Sequence, residues 1–398
     1  MQLVVAQRRL GPKSFLAANL IIGTLMILSV DMYIPALPGM MREFGVSAAY
    51  LNLTLFMFFL VQAISIVIIG PMSDRFGRRP LLIASSVCFL AGSVGCAFAP
   101  SVGVLVLWRM MQAVGLGGVT ALGTAIVKDA YAGTDLQLAM TLLQSLIIAG
   151  PVAAPFLGSF LLMVGTWRHV FWALAAFGVI CLALSLLIDE TLPIESRLKG
   201  GVVQSLRGTV ATSRILLGSR RFTSLAALMS VAGLPYAAYL AVASYVLIDF
   251  FGASYLFYSV MYAIVCGVSV LAPFVYMLLS RKLAMRGLLI TSIALFAVSF
   301  VALALLGTVG PVVFTLAVLP FILAEGIVRP MAYVELLDQP AERVGAASSF
   351  SNFAYSVLFS VGTALATLGW PSFIFGLVVL VGASTVAMAL LMAVWRRS

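Results

Sequence analysis

Residues 70–80 read Gly70-Pro71-Met72-Ser73-Asp74-Arg75-Phe76-Gly77-Arg78-Arg79-Pro80, a charged, glycine-broken turn between two long apolar runs. Only 9% of the chain is charged, so Asp74, Arg75, Arg78 and Arg79 packed so closely mark a segment held at a water interface. Gly70 and Gly77 permit close backbone approach and a tight turn.

The runs on either side of this turn recur along all 398 residues, 63% of which are hydrophobic. Twelve are long enough to cross a hydrocarbon core of about 30 Å as helices. They lie near 15–37, 47–70, 80–98, 102–126, 137–162, 168–188, 222–248, 255–280, 286–308, 311–335, 345–368 and 371–394. Pro100-Ser101, Gly310-Pro311 and Trp370-Pro371 punctuate the connections. The expected fold class is therefore an all-α integral membrane protein of twelve transmembrane helices.

A net charge of +10 invites a nucleic-acid reading, which the placement of the charges rejects. Arg8, Arg9 and Lys13 precede span 1; Arg75, Arg78 and Arg79 follow span 2; Lys128 follows span 4. Arg197, Lys199, Arg207, Arg214, Arg220 and Arg221 separate spans 6 and 7. Arg281, Lys282 and Arg286 follow span 8, Arg343 follows span 10, and Arg396 and Arg397 close the chain. The opposite connections hold only Arg42 and Arg168. This positive-inside bias puts both termini in the cytoplasm. Cys88, Cys96, Cys181 and Cys266 all fall in spans, so neither a disulfide framework nor a metal site is expected. The N-terminal segment has the shape of a signal peptide, but its apolar run continues past Asp31 and reads as an uncleaved first span.

The longest polar stretch, 189–221, divides the spans six and six. The expected organisation is an N-terminal six-helix bundle over 1–188, a cytoplasmic linker over 189–221 and a C-terminal six-helix bundle over 222–398. Within the linker, 202–217 is amphipathic enough to lie on the membrane surface. Leu279 to Gly287 reads as an eroded copy of the 70–80 turn without its aspartate, as in a duplicated unit.

Charges inside spans are costly and are candidates for function. Asp31 lies about two-thirds along span 1, in Asp31-Met32-Tyr33-Ile34-Pro35-Ala36-Leu37-Pro38. An acid buried in an apolar span takes up a proton more readily than one in water, the property a proton carrier needs. The plain alternative is that it pins the bend at Pro35 and Pro38. Arg109 opens span 4, with Gln112 on nearly the same face; if it meets Asp31 it tunes that acid, and otherwise it bonds carbonyls. Glu325 and Arg329 share a face of span 10, as a self-neutralising pair or with Glu325 as a second titrating group. In the 70–80 turn, Asp74 is placed to meet the N-terminus of span 11 and Arg78 to pair with Asp129, a latch rather than a substrate site. Gly150, Pro151, Pro155 and Gly158 bend span 5 and strip it of side-chain bulk. Tyr33, Gln112, Tyr236 and Tyr239 are the candidate substrate-binding residues, in a chain rich in Phe and Met surface. The lone His169 sits beside Trp167 and Arg168 at an interface.

Three of these motifs resemble those of one family. Gly70 to Pro80 resembles the loop of the major facilitator superfamily, and Arg109 to Gly118 its helix-4 motif, whose arginine is linked to proton coupling. Gly150-Pro151 through Gly158 is similar to its antiporter motif. With Asp31 to Pro38, the pattern is similar to the twelve-span drug:proton antiporters of the bicyclomycin and chloramphenicol resistance (Bcr/CflA) type. The resemblance implies two six-helix bundles, a bacterial inner-membrane location and proton-driven export of small amphipathic compounds. Asp31, Arg109 and Glu325 are then the coupling residues. Small-molecule substrate, protons and lipid are the expected partners; no cofactor, nucleic acid or catalysis is expected, and the chain is read as a monomer. Relatives with a second acid earlier in helix 1 differ here, where Gly23 and Thr24 stand. The rival readings are a proton-coupled sugar or nucleoside importer and a non-transporting receptor on the same fold.

Overall fold

In the absence of water a membrane-embedded backbone must satisfy its own hydrogen bonds, and a single chain of long apolar runs does so as helices. The structure is a computed structural model that describes residues 3–5, 7–193, 195, 197 and 202–395. Lys199, Arg396 and Arg397, which enter the charge pattern above, lie outside the described residues.

The helices are α1 (Pro12–Asp31), α2 (Leu37–Phe44), α3 (Ala48–Phe76), α4 (Arg78–Ala97), α5 (Val102–Ala130), α6 (Gly133–Val164), α7 (Trp167–Leu187) and α8 (Val202–Leu217). They continue as α9 (Arg220–Ser244), α10 (Tyr255–Leu279), α11 (Met285–Leu306), α12 (Pro311–Leu336), α13 (Ala341–Leu365) and α14 (Phe373–Trp395). Among the described residues 10 helices are long and apolar enough to cross a membrane. The two further long helices are α6, of 32 residues, and α13, of 25. Together these carry the twelve spans, with α8 as the amphipathic segment between the sixth and seventh.

Local sequence sets the ends. Pro12 and Pro311 stand in the first turns of α1 and α12, where a missing N–H costs nothing. Ser101, Ser219 and Ser254 accept from Val104 N, Phe222 N and Phe257 N and so cap α5, α9 and α10, at about 1 kcal/mol each. His169 Nδ1 accepts from Thr166 N at 2.9 Å, so the single histidine closes the start of α7.

Two boundaries differ from the sequence reading. Span 1 is not continuous to residue 37: α1 stops at Asp31, a 3₁₀ turn covers Ile34–Ala36, and α2 follows. Pro35 has no N–H for an α-helical bond, so the chain tightens and redirects there. The 70–80 segment is less of a loop than expected. α3 runs through Pro71 to Phe76 and only Gly77 is non-helical, placing Ser73, Asp74 and Arg75 on the last turn of α3.

The chain forms two compact units, Met1–Ala36 with Met57–Arg207, and Leu37–Phe56 with Gly208–Ser398. The first packs around Phe15, Ile22, Met26, Phe58, Phe89 and Leu122. In the second, Phe222, Met229, Leu336 and Tyr355 form a core. Leu37–Phe56 groups with the second unit and makes polar contacts within it. Arg42 pairs with Asp249, Asn52 Nδ2 donates to the Ala241 carbonyl at 3.1 Å, and Ser360 Oγ donates to the Phe56 carbonyl at 2.7 Å. Leucines such as Leu305, Leu316 and Leu390 are exposed on the helices, as side chains meant for lipid are.

Candidate functional site

Asp31 ends α1 and is buried, 6% exposed. The turn that follows is gripped from two sides. On one side Arg109 of α5, fully buried, lays its guanidinium over the Tyr33 ring at 4.5 Å and over Phe58 at 4.1 Å. Its Nη1 donates to Gln112 Oε1 at 2.6 Å, and Gln112 Nε2 donates to Ser93 Oγ at 2.8 Å. Nε and Nη2 of Arg109 have no hydrogen-bond partner among the described residues. Two ring contacts supply up to about 2 kcal/mol each when desolvated. Burying the cation costs several kcal/mol, which these contacts offset while two of its nitrogens stay without a hydrogen bond.

On the other side Gly158 of α6 meets the backbone. A Cβ at Gly158 stands 2.2 Å from the Met32 carbonyl oxygen, so only glycine allows α6 this close to the residue after Asp31. Pro151 and Pro155 are both inside α6. Gly150 faces Ile27, one turn before Asp31. The helix-4 and antiporter motifs, far apart in sequence, therefore converge on one turn of chain. Tyr33 and Gln112 are fully buried, and their observed contacts hold Arg109.

The 70–80 segment forms a separate polar cluster. Arg78 Nε donates to Asp129 Oδ2 at 2.9 Å, and its Nη1 reaches both Asp74 and Ser73. Glu190, just beyond α7, accepts from the backbone N–H of Arg78 at 2.8 Å and of Arg79 at 3.4 Å. It also accepts from Thr191 N and Leu192 N. A carboxylate at the first N–H groups of α4 satisfies donors the helix leaves open. Asp129 and Asp74 pair with the largely buried Arg78 and compensate its charge. Arg75 stacks on Phe76 at 5.3 Å. Glu190 was invisible as a site residue because its partners lie 112 positions earlier in the chain.

In the second unit Glu325 is 3% exposed and Arg329, one turn on, is exposed. Among the described residues no ion pair joins them. Tyr355 of α13 stands between: its hydroxyl donates to Glu325 Oε1 at 2.8 Å, and its ring carries Arg329 at 4.5 Å. Phe359 stacks on Tyr355 at 5.8 Å and meets Tyr236 edge-on at 6.0 Å. Tyr239, by contrast, is fully buried and stacked on Tyr262 and Phe314, so it presents no surface to a ligand here. Tyr355 and Phe359 went unnoticed in the sequence because a span 11 aromatic looks like any lipid-facing one.

Among the described residues, long apolar helices with charges buried between them make the architecture of a multi-pass membrane protein. The family model described as Major Facilitator Superfamily matches residues 20–363, and the chain belongs to that family. It is 27% identical over 360 residues to the uncharacterized MFS-type transporter YdgK of Bacillus subtilis (strain 168), covering 88% of each. It is 32% identical over 165 residues to the multidrug resistance protein MdtL of Shigella flexneri serotype 5b (strain 8401), covering 41% of this chain and 42% of that one. Among solved structures, a bacterial homolog of the human lysosomal transporter Spinster, inward-facing and unoccupied, superposes with a TM-score of 0.76 at 18% identity, covering 96% of both chains.

Proposed function

We propose that this protein is a proton-coupled exporter of small amphipathic compounds, of the Bcr/CflA drug:proton antiporter type, in a bacterial inner membrane. The observation that carries the reading is the turn after Asp31, clasped by Arg109 through Tyr33 and by Gly158 at Met32. An acid there shares its turn with a buried, partly compensated cation and with a bent helix, so a change in its charge is transmitted to both. Asp31 carries the proton, Arg109 tunes it, and Gln112 and Ser93 hold Arg109 in place. Glu325 is the second titrating candidate. The Asp74, Arg78, Asp129 and Glu190 cluster serves as a latch at one end of the first unit. The partial similarity to MdtL supports drug-like substrates, and alternating access of two bundles follows from the family's architecture.

The test is a panel of drugs added to everted membrane vesicles with an acid interior, comparing the native chain with Asp31→Asn. Drug-dependent proton release from the lumen in the native vesicles, lost in Asp31→Asn, is the expected result. Release that persists in the variant removes Asp31 as the carrier and directs the same test to Glu325→Gln. Release that never occurs, with proton-driven uptake of a sugar or nucleoside instead, establishes the importer reading.

A further inference from the structure

Glu325 and Arg329 stand four residues apart on α12, a spacing at which opposite charges commonly pair. Here they form no salt bridge, though they stay within electrostatic reach of each other, and Tyr355 touches both. The phenol engages the carboxylate, and the flat face of the same ring engages the guanidinium. The acid is thus withdrawn, 3% exposed and held by a hydroxyl, while the arginine is exposed. Beside it stand half-buried Tyr236 and Phe359, in edge-to-face contact, and exposed Asn352, which donates to the Tyr333 hydroxyl at 3.1 Å. Tyr236 and Tyr333 lie within electrostatic reach of the guanidinium.

A ligand arriving at this cluster therefore meets an exposed guanidinium stacked on the Tyr355 ring. A cation drawn to Glu325 has to displace the Tyr355 hydroxyl and sit one helical turn from the positive charge of Arg329. A carboxylate instead finds a planar fork of N–H donors, already stacked on one face and so already oriented. An aromatic body on the ligand can lie against Tyr236 and Phe359.

We propose that Arg329 is the anion-binding subsite of the transported molecule. The substrates it selects are small aromatic carboxylates or similar amphipathic monoanions. Tyr355 acts as a positioning residue: by donating to Glu325 it keeps that acid from closing a salt bridge onto the arginine. The inference rests on the transport reading for its biological use, but it is tested by binding alone.

The experiment is calorimetric titration of the purified full chain in lipid nanodiscs with three matched probes: 1-naphthoate, neutral 1-naphthamide and cationic 1-naphthylmethylammonium. Naphthoate is expected to bind at least about tenfold more tightly than either congener, the size of one charge-assisted hydrogen bond. Arg329→Gln should erase that preference, and Arg329→Lys, which keeps charge without the fork, should restore part of it. Tyr355→Phe keeps the stacking ring but frees Glu325 to approach Arg329, so naphthoate should weaken while the amide holds its affinity. Equal binding of the three probes, tighter binding of the ammonium, no naphthoate binding up to millimolar concentration, or a preference that survives Arg329→Gln overturns the proposal. If Arg329→Gln is not monodisperse, the native comparison and Arg329→Lys still decide it. No proton gradient is present, so failure of antiport in vesicles and failure of anion selectivity are separate outcomes.

Discussion

At Gly77 the backbone has φ of +102°, the left-handed side that side chains avoid, and the space is already filled. A Cβ there falls 2.2 Å from Glu190 Oε2 and 2.9 Å from Arg197 Nη2. Gly70, in the same motif, has nothing within 4 Å of the equivalent position. Gly77→Ala is therefore expected to cost about 1–3 kcal/mol, by strain and by pushing Glu190 off the N-terminus of α4. Gly70→Ala is expected to be close to neutral. Thermal unfolding of the two purified variants, followed by tryptophan fluorescence, checks the contrast; equal midpoints contradict it. Both glycines stood out in the sequence for the same reason, yet one is a steric necessity and the other is not. The difference comes from Glu190, which no local pattern connects to Gly77.

At the level of elements, α6 matters through the helix it touches. Gly158→Ala places a methyl against the Met32 carbonyl, and neither backbone can yield without moving α6 or the turn after Asp31. The expected outcome is at least about a tenfold loss of drug-dependent proton release, equivalent to 1.4 kcal/mol, in a protein that still inserts and purifies. Unchanged release at matched protein levels contradicts it. The antiporter motif was legible as a run of glycine and proline, but its partner was not. Similarly, Arg109 and Gln112 were legible as buried polar residues on one face of span 4. Their partners Phe58 and Ser93 come from α3 and α4, and nothing in those apolar stretches distinguishes them before they pack. Proline positions foretold that span 1 bends, whereas the end of α1 at Asp31 itself emerged only in the structure.

For the whole molecule, the asymmetry of Lys and Arg along the chain predicts which connections face which side. Ala211, on the exposed face of α8, and Val309, exposed between α11 and α12, fall on opposite sides by that count. In a background with Cys88, Cys96, Cys181 and Cys266 replaced by serine, an impermeant maleimide should label Val309→Cys in intact cells. It should label Ala211→Cys only in everted vesicles. The reverse pattern inverts the topology.

The sequence by itself determined that the chain is helical, how many apolar runs it has and which charges lie inside them. Those properties depend on hydropathy, residue spacing and the backbone chemistry of glycine and proline, all of them local. Only the tertiary structure decided which buried charges have which neighbours: Tyr33 and Phe58 around Arg109, Glu190 at Arg78, and Tyr355 dividing Glu325 from Arg329. Each of those contacts joins residues distant in the chain, and in an apolar interior the neighbour sets whether a charge is compensated, withdrawn or left available to a ligand.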